Sequence, residues 1–179
     1  MADSLSDVLT ATLRTVFLFN RTNQLELGNI QNATSQVTTY AFADGAGPQQ
    51  ADLVYAETRT IPPNTMETID LLDLEQPTLG VDVAFEFRQL RAVRIVNHAT
   101  VAGRRLLVGV NPGSPTSIYA AAIGPASEWH AVNHVDSWVV TADNQLFRIS
   151  NPNAAAINYS LYLFGTSTPV PEPEPEEEE

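Results

Sequence analysis

Glu128-Trp-His130, His134 and Asp136 form the densest group of potentially reactive side chains in this sequence. Two histidines beside carboxylates can ligate a metal or relay protons. On a helix His130 and His134 would share a face at i, i+4. The residue after His130 is Ala131, however, where the zinc-protease pattern needs its general-base Glu. Trp129, Val132, Val135 and Trp138 surround the pair in strand-and-turn context. The expectation is a surface or interface pair of histidines that could make a contact pH-sensitive. Ser127 or Ser137 with His130 or His134 would be the nearest approach to a nucleophilic triad, but neither serine lies in a Gly-x-Ser-x-Gly turn. Asp70, Asp73, Glu75 and Asp82, around Leu71, Leu72, Leu74 and Leu79, could offer oxygens to calcium. They lack the Gly and terminal Glu that a helix-loop-helix calcium loop fixes in place, so a solvated turn is expected.

Composition closes other routes. There is no Cys, hence no thiolate, disulfide or cysteine metal site. No Gly-rich run is followed by Lys, so no phosphate loop is present. Asn20-Arg-Thr22, Asn32-Ala-Thr34 and Asn158-Tyr-Ser160 match the glycosylation sequon by chance. Residues 1–7 show no basic n-region, so no secretory leader is expected. No stretch nears the roughly 20 apolar residues of a membrane span. The chain is expected to be no enzyme, to hold no cofactor or metal, and to meet no membrane.

All nine basic residues are Arg, and the formal net charge is −12. That charge argues against nucleic acid as a partner. Arginine suits planar, two-pronged contacts at interfaces, although GC-rich codons give the same bias. Arg104-Arg105 stands at the entry to the apolar run Leu106–Val110. It reads either as a charged strand end that discourages edge pairing or as a contact for an acidic partner.

The elements that must carry these residues are strands. Val81-Asp-Val-Ala-Phe-Glu-Phe87 alternates with period two, and so does Leu90-Arg-Ala-Val-Arg-Ile-Val-Asn97. In the latter, Ala92, Arg94 and Val96 fall on one side and Arg91, Val93, Ile95 and Asn97 on the other. Strands are expected over residues 53–61, 65–72, 81–88, 90–97, 104–110, 117–122, 127–132, 137–141, 145–150 and 157–165. Pro62-Pro63, Glu75-Gln-Pro77, Asn111-Pro-Gly113, Gly124-Pro125 and Asn151-Pro-Asn153 punctuate them. Residues 157–164, apolar on both faces toward their end, predict a central strand. The expected core includes Val83, Phe85, Val93, Ile95, Leu107, Ile149, Leu161 and Leu163. The fold class is all-β: an antiparallel, jelly-roll-like β-sandwich over residues 51–167.

Residues 1–50 differ from the rest. Leu5, Val8, Leu9 and Leu13 have helical spacing, weakened by the threonines among them. Val16-Phe-Leu-Phe19 is a strand candidate, followed by the amide-rich run 29–39 and the turn signal Asp44-Gly-Ala-Gly-Pro48. The region reads as an arm and first strand reaching a neighbouring subunit. Phe17 and Phe19 would be its apolar contacts, and Arg14 and Arg21 would pair with carboxylates there. The alternative makes Val16–Phe19 the first strand of its own sandwich. Residues 168–179 alternate Pro with other residues and then run into Glu. A disordered, extended acidic tail is expected, serving to keep particles apart or to meet a basic partner.

The run Gln50-Ala-Asp-Leu-Val-Tyr-Ala-Glu-Thr-Arg-Thr-Ile61, then Glu67-Thr-Ile-Asp-Leu-Leu-Asp-Leu74, then Phe85 to Asn97, resembles small virion proteins of tailed bacteriophages and prophages. Pro125 to Trp129, Trp138-Val-Val-Thr141, Leu146-Phe-Arg-Ile-Ser-Asn151 and residues 154–165 continue the resemblance. The N-terminal region and the Pro/Glu tail stand outside it. The resemblance implies a jelly-roll cement or decoration protein of the phage head exterior, assembled in the host cytoplasm. It implies major capsid protein as partner and a homotrimeric state. A receptor- or glycan-binding module of a tail or surface fibre is the competing reading, one that would draw on exposed Tyr and Trp.

Overall fold

Alternation along residues 157–166 puts Ile157, Tyr159, Leu161 and Leu163 on one face of a strand, and none of the four is more than 1 % exposed. That strand is the centre of the sheet around which the molecule is built. The computed structural model describes residues 11–25, 28–78, 81–109 and 121–169. Among them there is no helix. The strands are β1 (Ala11–Leu25), β2 (Gly28–Phe42), β3 (Leu53–Ile61), β4 (Thr65–Asp70), β5 (Leu74–Thr78), β6 (Val81–Phe85), β7 (Gln89–Asn97), β8 (Leu106–Val108), β9 (Ala121–Ile123), β10 (Ser127–Val132), β11 (Trp138–Val139), β12 (Leu146–Asn151) and β13 (Ile157–Thr166).

One sheet runs β10-β7-β13-β3, with the short β11 also on β7; the other runs β4-β12-β8-β9. Every ladder is antiparallel. Successive strands β3 and β4, β7 and β8, β9 and β10, and β12 and β13 lie in opposite sheets. The chain therefore crosses between layers again and again, which packs the two antiparallel sheets face to face as a sandwich. Tyr55, Val93, Ile95, Leu161 and Leu163 from the first sheet meet Ile69, Leu106, Val108, Phe147 and Ile149 from the second in one continuous core. Two asparagines at strand ends are buried with it. Asn97 donates to the carbonyls of Arg104 and Ile123 at 3.1 and 3.0 Å, and its Oδ1 accepts from the Ala99 amide. Asn151 donates to Ile61, Pro62 and Ala155 and accepts from Asn153. Each holds crossing loops whose backbone groups would otherwise be buried unpaired.

The all-β antiparallel sandwich is as expected from the alternation, and residues 53–61 and 127–132 form strands with the expected bounds. Several details differ. Glu75-Gln-Pro77 is not a break: it lies inside β5, which pairs with β6 as a separate two-stranded sheet. Proline is tolerated there because an edge position needs no ladder donor. In β8 the buried residues are Leu106 and Val108, with Leu107 only half-buried, the reverse of the expected face. Phe85 packs at the margin of the core, and the side chain of Val83 lies outside the described residues.

The phase of β7 also slips. Phe164 pairs with Ala92 and Gly165 with Leu90, so Arg91 is an extra residue in a β-bulge. The slip turns Leu90 into the core beside Val93 and leaves Arg91 directed elsewhere. Glycine is required opposite the bulge, since a Cβ on Gly165 would sit 2.1 Å from the Gln89 carbonyl oxygen.

Residues 11–25 and 28–42 form strands that belong to neither sheet of the sandwich. Residues 11–14, expected at helical spacing, lie in β1, and residues 1–10 fall outside the described residues. β1 and β2 pair along their whole lengths, from Ala11 with Phe42 to Leu25 with Gly28, as a sheet of two. Fifteen residues per strand give a ribbon roughly 50 Å long at about 3.3 Å per residue.

Candidate interaction site: the hairpin and its anchor

A two-stranded hairpin is marginally stable alone, so its base must be held. Ala11, Leu13 and Phe42 form a second apolar cluster with Ala51, Ala92 and Phe164, and Tyr40, Val54, Val132 and Tyr162 pack at its margin. Ala92, Val132, Phe164 and Val54 belong to β7, β10, β13 and β3 of the first sheet and lie on its outer face, away from the main core. The hairpin base thus covers one end of that face. Phe42 stacks on Phe164 with ring centroids 5.6 Å apart.

The histidines singled out above act here. His134 donates from Nε2 to the Ala41 carbonyl at 2.8 Å, and its ring meets Phe42 and Tyr40 edge-on at 4.9 and 5.5 Å. His130 Nε2 lies 3.5 Å from Thr15 Oγ1. Both side chains therefore fasten the hairpin to the body. Their neighbours are committed elsewhere. Glu128 pairs with Arg94 at 2.5 Å, Ser127 bonds the Pro125 carbonyl, and Ser137 Oγ bonds Gln89 at 2.8 Å. No triad is assembled among them. The acidic turn is held in a similar way: Asp70 accepts from the Leu72 amide and from Gln145 Nε2. Among the described residues no cluster of three or more His, Asp or Glu is placed to hold a metal.

Beyond its anchor the hairpin carries residues that nothing in the sandwich covers. Val16 and Val37 are cross-strand partners, each 48 % exposed. Arg14 is exposed on the same strand. Phe17 and Phe19 are in register with Gln36 and Thr34, and Arg21 with Asn32. The side chains of Phe17, Phe19 and Arg21 lie outside the described residues. Arg104 and Arg105 are not brought to the hairpin. They precede β8, where the Arg104 carbonyl accepts from Asn97, and the backbone of exposed Arg105 donates to Asn153 Oδ1 and accepts from Asn153 Nδ2. That places them by the Asn97 end of β7, whereas the hairpin anchor uses Ala92 toward the other end.

Two polar groupings were not legible in the sequence. His98 Nε2 lies 2.7 Å from Ser160 Oγ, which lies 2.8 Å from Thr58 Oγ1. Among the described residues no carboxylate is hydrogen-bonded to His98. The other grouping joins the two sheets. Arg59 on β3 bonds Glu57, the Tyr55 hydroxyl at 2.6 Å and, across the core edge, Glu67 on β4. Tyr55 donates to Glu57, and Tyr159 donates to Glu67 at 2.6 Å. Burial and the bond to Glu57 push the Tyr55 hydroxyl up to about 12 from its ordinary 10.0. Burial and Glu67 push Tyr159 the same way. A raised tyrosine pKa stabilises the fold below the unfolded value and the gain is lost as pH climbs through the folded one. Stability should therefore hold up to about pH 10 and fall between there and about pH 12. Urea midpoints measured across that range check this, and Tyr55→Phe should flatten the fall.

No protein-family model matches this chain. No curated protein matches it. Among solved structures it is similar to the crystal structure of Yersinia pseudotuberculosis-derived mitogen, at 14 % identity and a TM-score of 0.32, over 66 % of this chain and 90 % of that one. A likeness that slight assigns neither a family nor a function.

Proposed function

We propose that this chain is a structural virion protein, a cement or decoration protein that sits on the phage head exterior, binds the major capsid protein and bridges neighbouring capsomers. The observation that carries the reading is the β1–β2 hairpin. It pairs with no other strand among the described residues, yet it is anchored by its own apolar cluster and by two histidines. Two long strands with open edges offer backbone donors and acceptors to a neighbouring chain. The exposed Val16 and Val37 pair offers an apolar contact. The sequence resemblance over residues about 50–165 supplies the class of neighbour.

A homotrimer fits this reading, because a cyclic assembly presents several hairpins at once. Contacts that are weak singly then act at high effective concentration. The glycan-binding alternative would draw on exposed Tyr and Trp, whereas Trp129 and Trp138 are partly buried against the core. The test is to add purified protein to heads that lack it and sediment them. Stable retention on the shell is expected; recovery of all protein in the supernatant under every salt condition would overturn the reading.

A further inference from the structure

The β-bulge in β7 sends Arg91 to a place where a cation is not matched. Its side chain is almost wholly buried, at 2 % exposure. Its guanidinium is held by neutral oxygens only: the carbonyls of Val135 and Gly47 at 2.8 Å, Ala46 at 3.3 Å and Gln89 Oε1 at 3.4 Å. Its Nε has no partner. Among the described residues no carboxylate pairs with it. A guanidinium presents Nε and Nη as a two-donor fork that fits a carboxylate. Here half of that fork is empty. Arg91 borders a cavity of about 490 Å³.

The last described residues of the chain lie at the rim of that cavity. Ser167 is tied to Asp52 through its amide at 2.8 Å and its hydroxyl at 2.6 Å. The Thr168 carbonyl accepts from Gln89 Nε2 at 2.8 Å. Thr168 and Pro169 themselves line the cavity. The sequence then continues through Val170 and Pro171 to Glu172, Glu174 and Glu176–Glu179. Glu172 lies three residues past Pro169, so it is tethered within about 10 Å of the rim.

We propose that the cavity bordered by Arg91 is a carboxylate-binding site, and that its ligand is a glutamate of this C-terminal segment. The alternating prolines suit the role. Each proline lacks a backbone N–H, so the segment has few donors of its own to satisfy. The opposing group is Asp136, which also lines the cavity without pairing with Arg91. Its charge competes with an incoming carboxylate, while burial works to lower the Arg91 pKa.

The test compares the ¹⁵N-labelled full chain with one ending at Pro169, following the Arg91 Nε–H resonance. Through-bond correlation to the Arg91 amide assigns it, so no variant of Arg91 has to fold. The resonance should differ between the two chains. A synthetic peptide of residues 168–179, added to the shortened chain, should restore the full-length position saturably and less tightly as salt rises. Replacing Glu172 and Glu174 by Gln in the peptide should weaken it. Asp136→Asn in the shortened chain should tighten it several-fold. A full-length position independent of protein concentration places the ligand in the same chain; one that moves on dilution places it in a neighbouring copy. If acetate shifts the resonance but truncation and peptide do not, the tail is not the ligand and that half of the proposal falls. No change with truncation, peptide or acetate overturns the site altogether.

Discussion

Replacing Leu161 by alanine is expected to destabilise the fold by about 2–5 kcal/mol, the usual cost of emptying a fully buried leucine site. Leu161 has no exposed surface and belongs to the main core. It sits in the middle of β13, which pairs with β3 through Glu57 and with β7 through Ile95. Backbone on both sides is fixed by ladders, so the site cannot collapse to fill the cavity. Denaturant unfolding of the variant measures the effect. A loss well under 1 kcal/mol would mean that the two sheets close over the gap.

The second large effect is functional. Excising residues 16–37 and joining Thr15 to Thr38 through an Asn-Gly turn should leave the sandwich folded and abolish retention on shells. Thr15 and Thr38 are cross-strand partners, so the cut keeps register. It also keeps the anchor, since Leu13, Tyr40 and Phe42 all remain to cover Phe164 and Ala92. Removing residues 1–25 instead would strip Ala11 and Leu13 from that cluster and confound folding with binding. If the excised protein still binds shells with unchanged affinity, the hairpin is not the docking element.

What could be read in advance depended on phase. Val93 and Ile149 are flanked by polar or small neighbours and are buried as that alternation demands; Leu161 and Leu163, in a strand apolar on both faces toward its end, are buried with them. Leu106-Leu-Val108 is apolar throughout, so period two has nothing to select, and the expected face was the wrong one. The bulge at Arg91 inserts one residue without any local signature. It comes from the close approach of Gly165 to Gln89, a contact 76 positions apart in the chain by the difference of those numbers. The hairpin was hidden for a different reason. Asn29, Gln31, Asn32 and Gln36 have weak strand propensity, and their pairing is fixed by β1 across the ribbon.

The histidines show the limit most plainly. Their spacing suggested an interface pair, and each does bridge two elements. The elements are the sandwich and its own hairpin, through Thr15, Ala41 and Phe42. No pattern near residue 130 identifies contacts with residues near 15 and 41. Only the packed fold does so.

A cement protein is distinguished from a tail module by where it is found and in what number. The most direct measurement is the copy number and position of this chain in purified particles that carry it, by quantitative mass spectrometry and by reconstruction of the head. The account predicts hundreds of copies per particle, distributed over the shell, with the β1–β2 hairpin against a neighbouring chain. A handful of copies confined to the tail, or a shell bearing none, would contradict it.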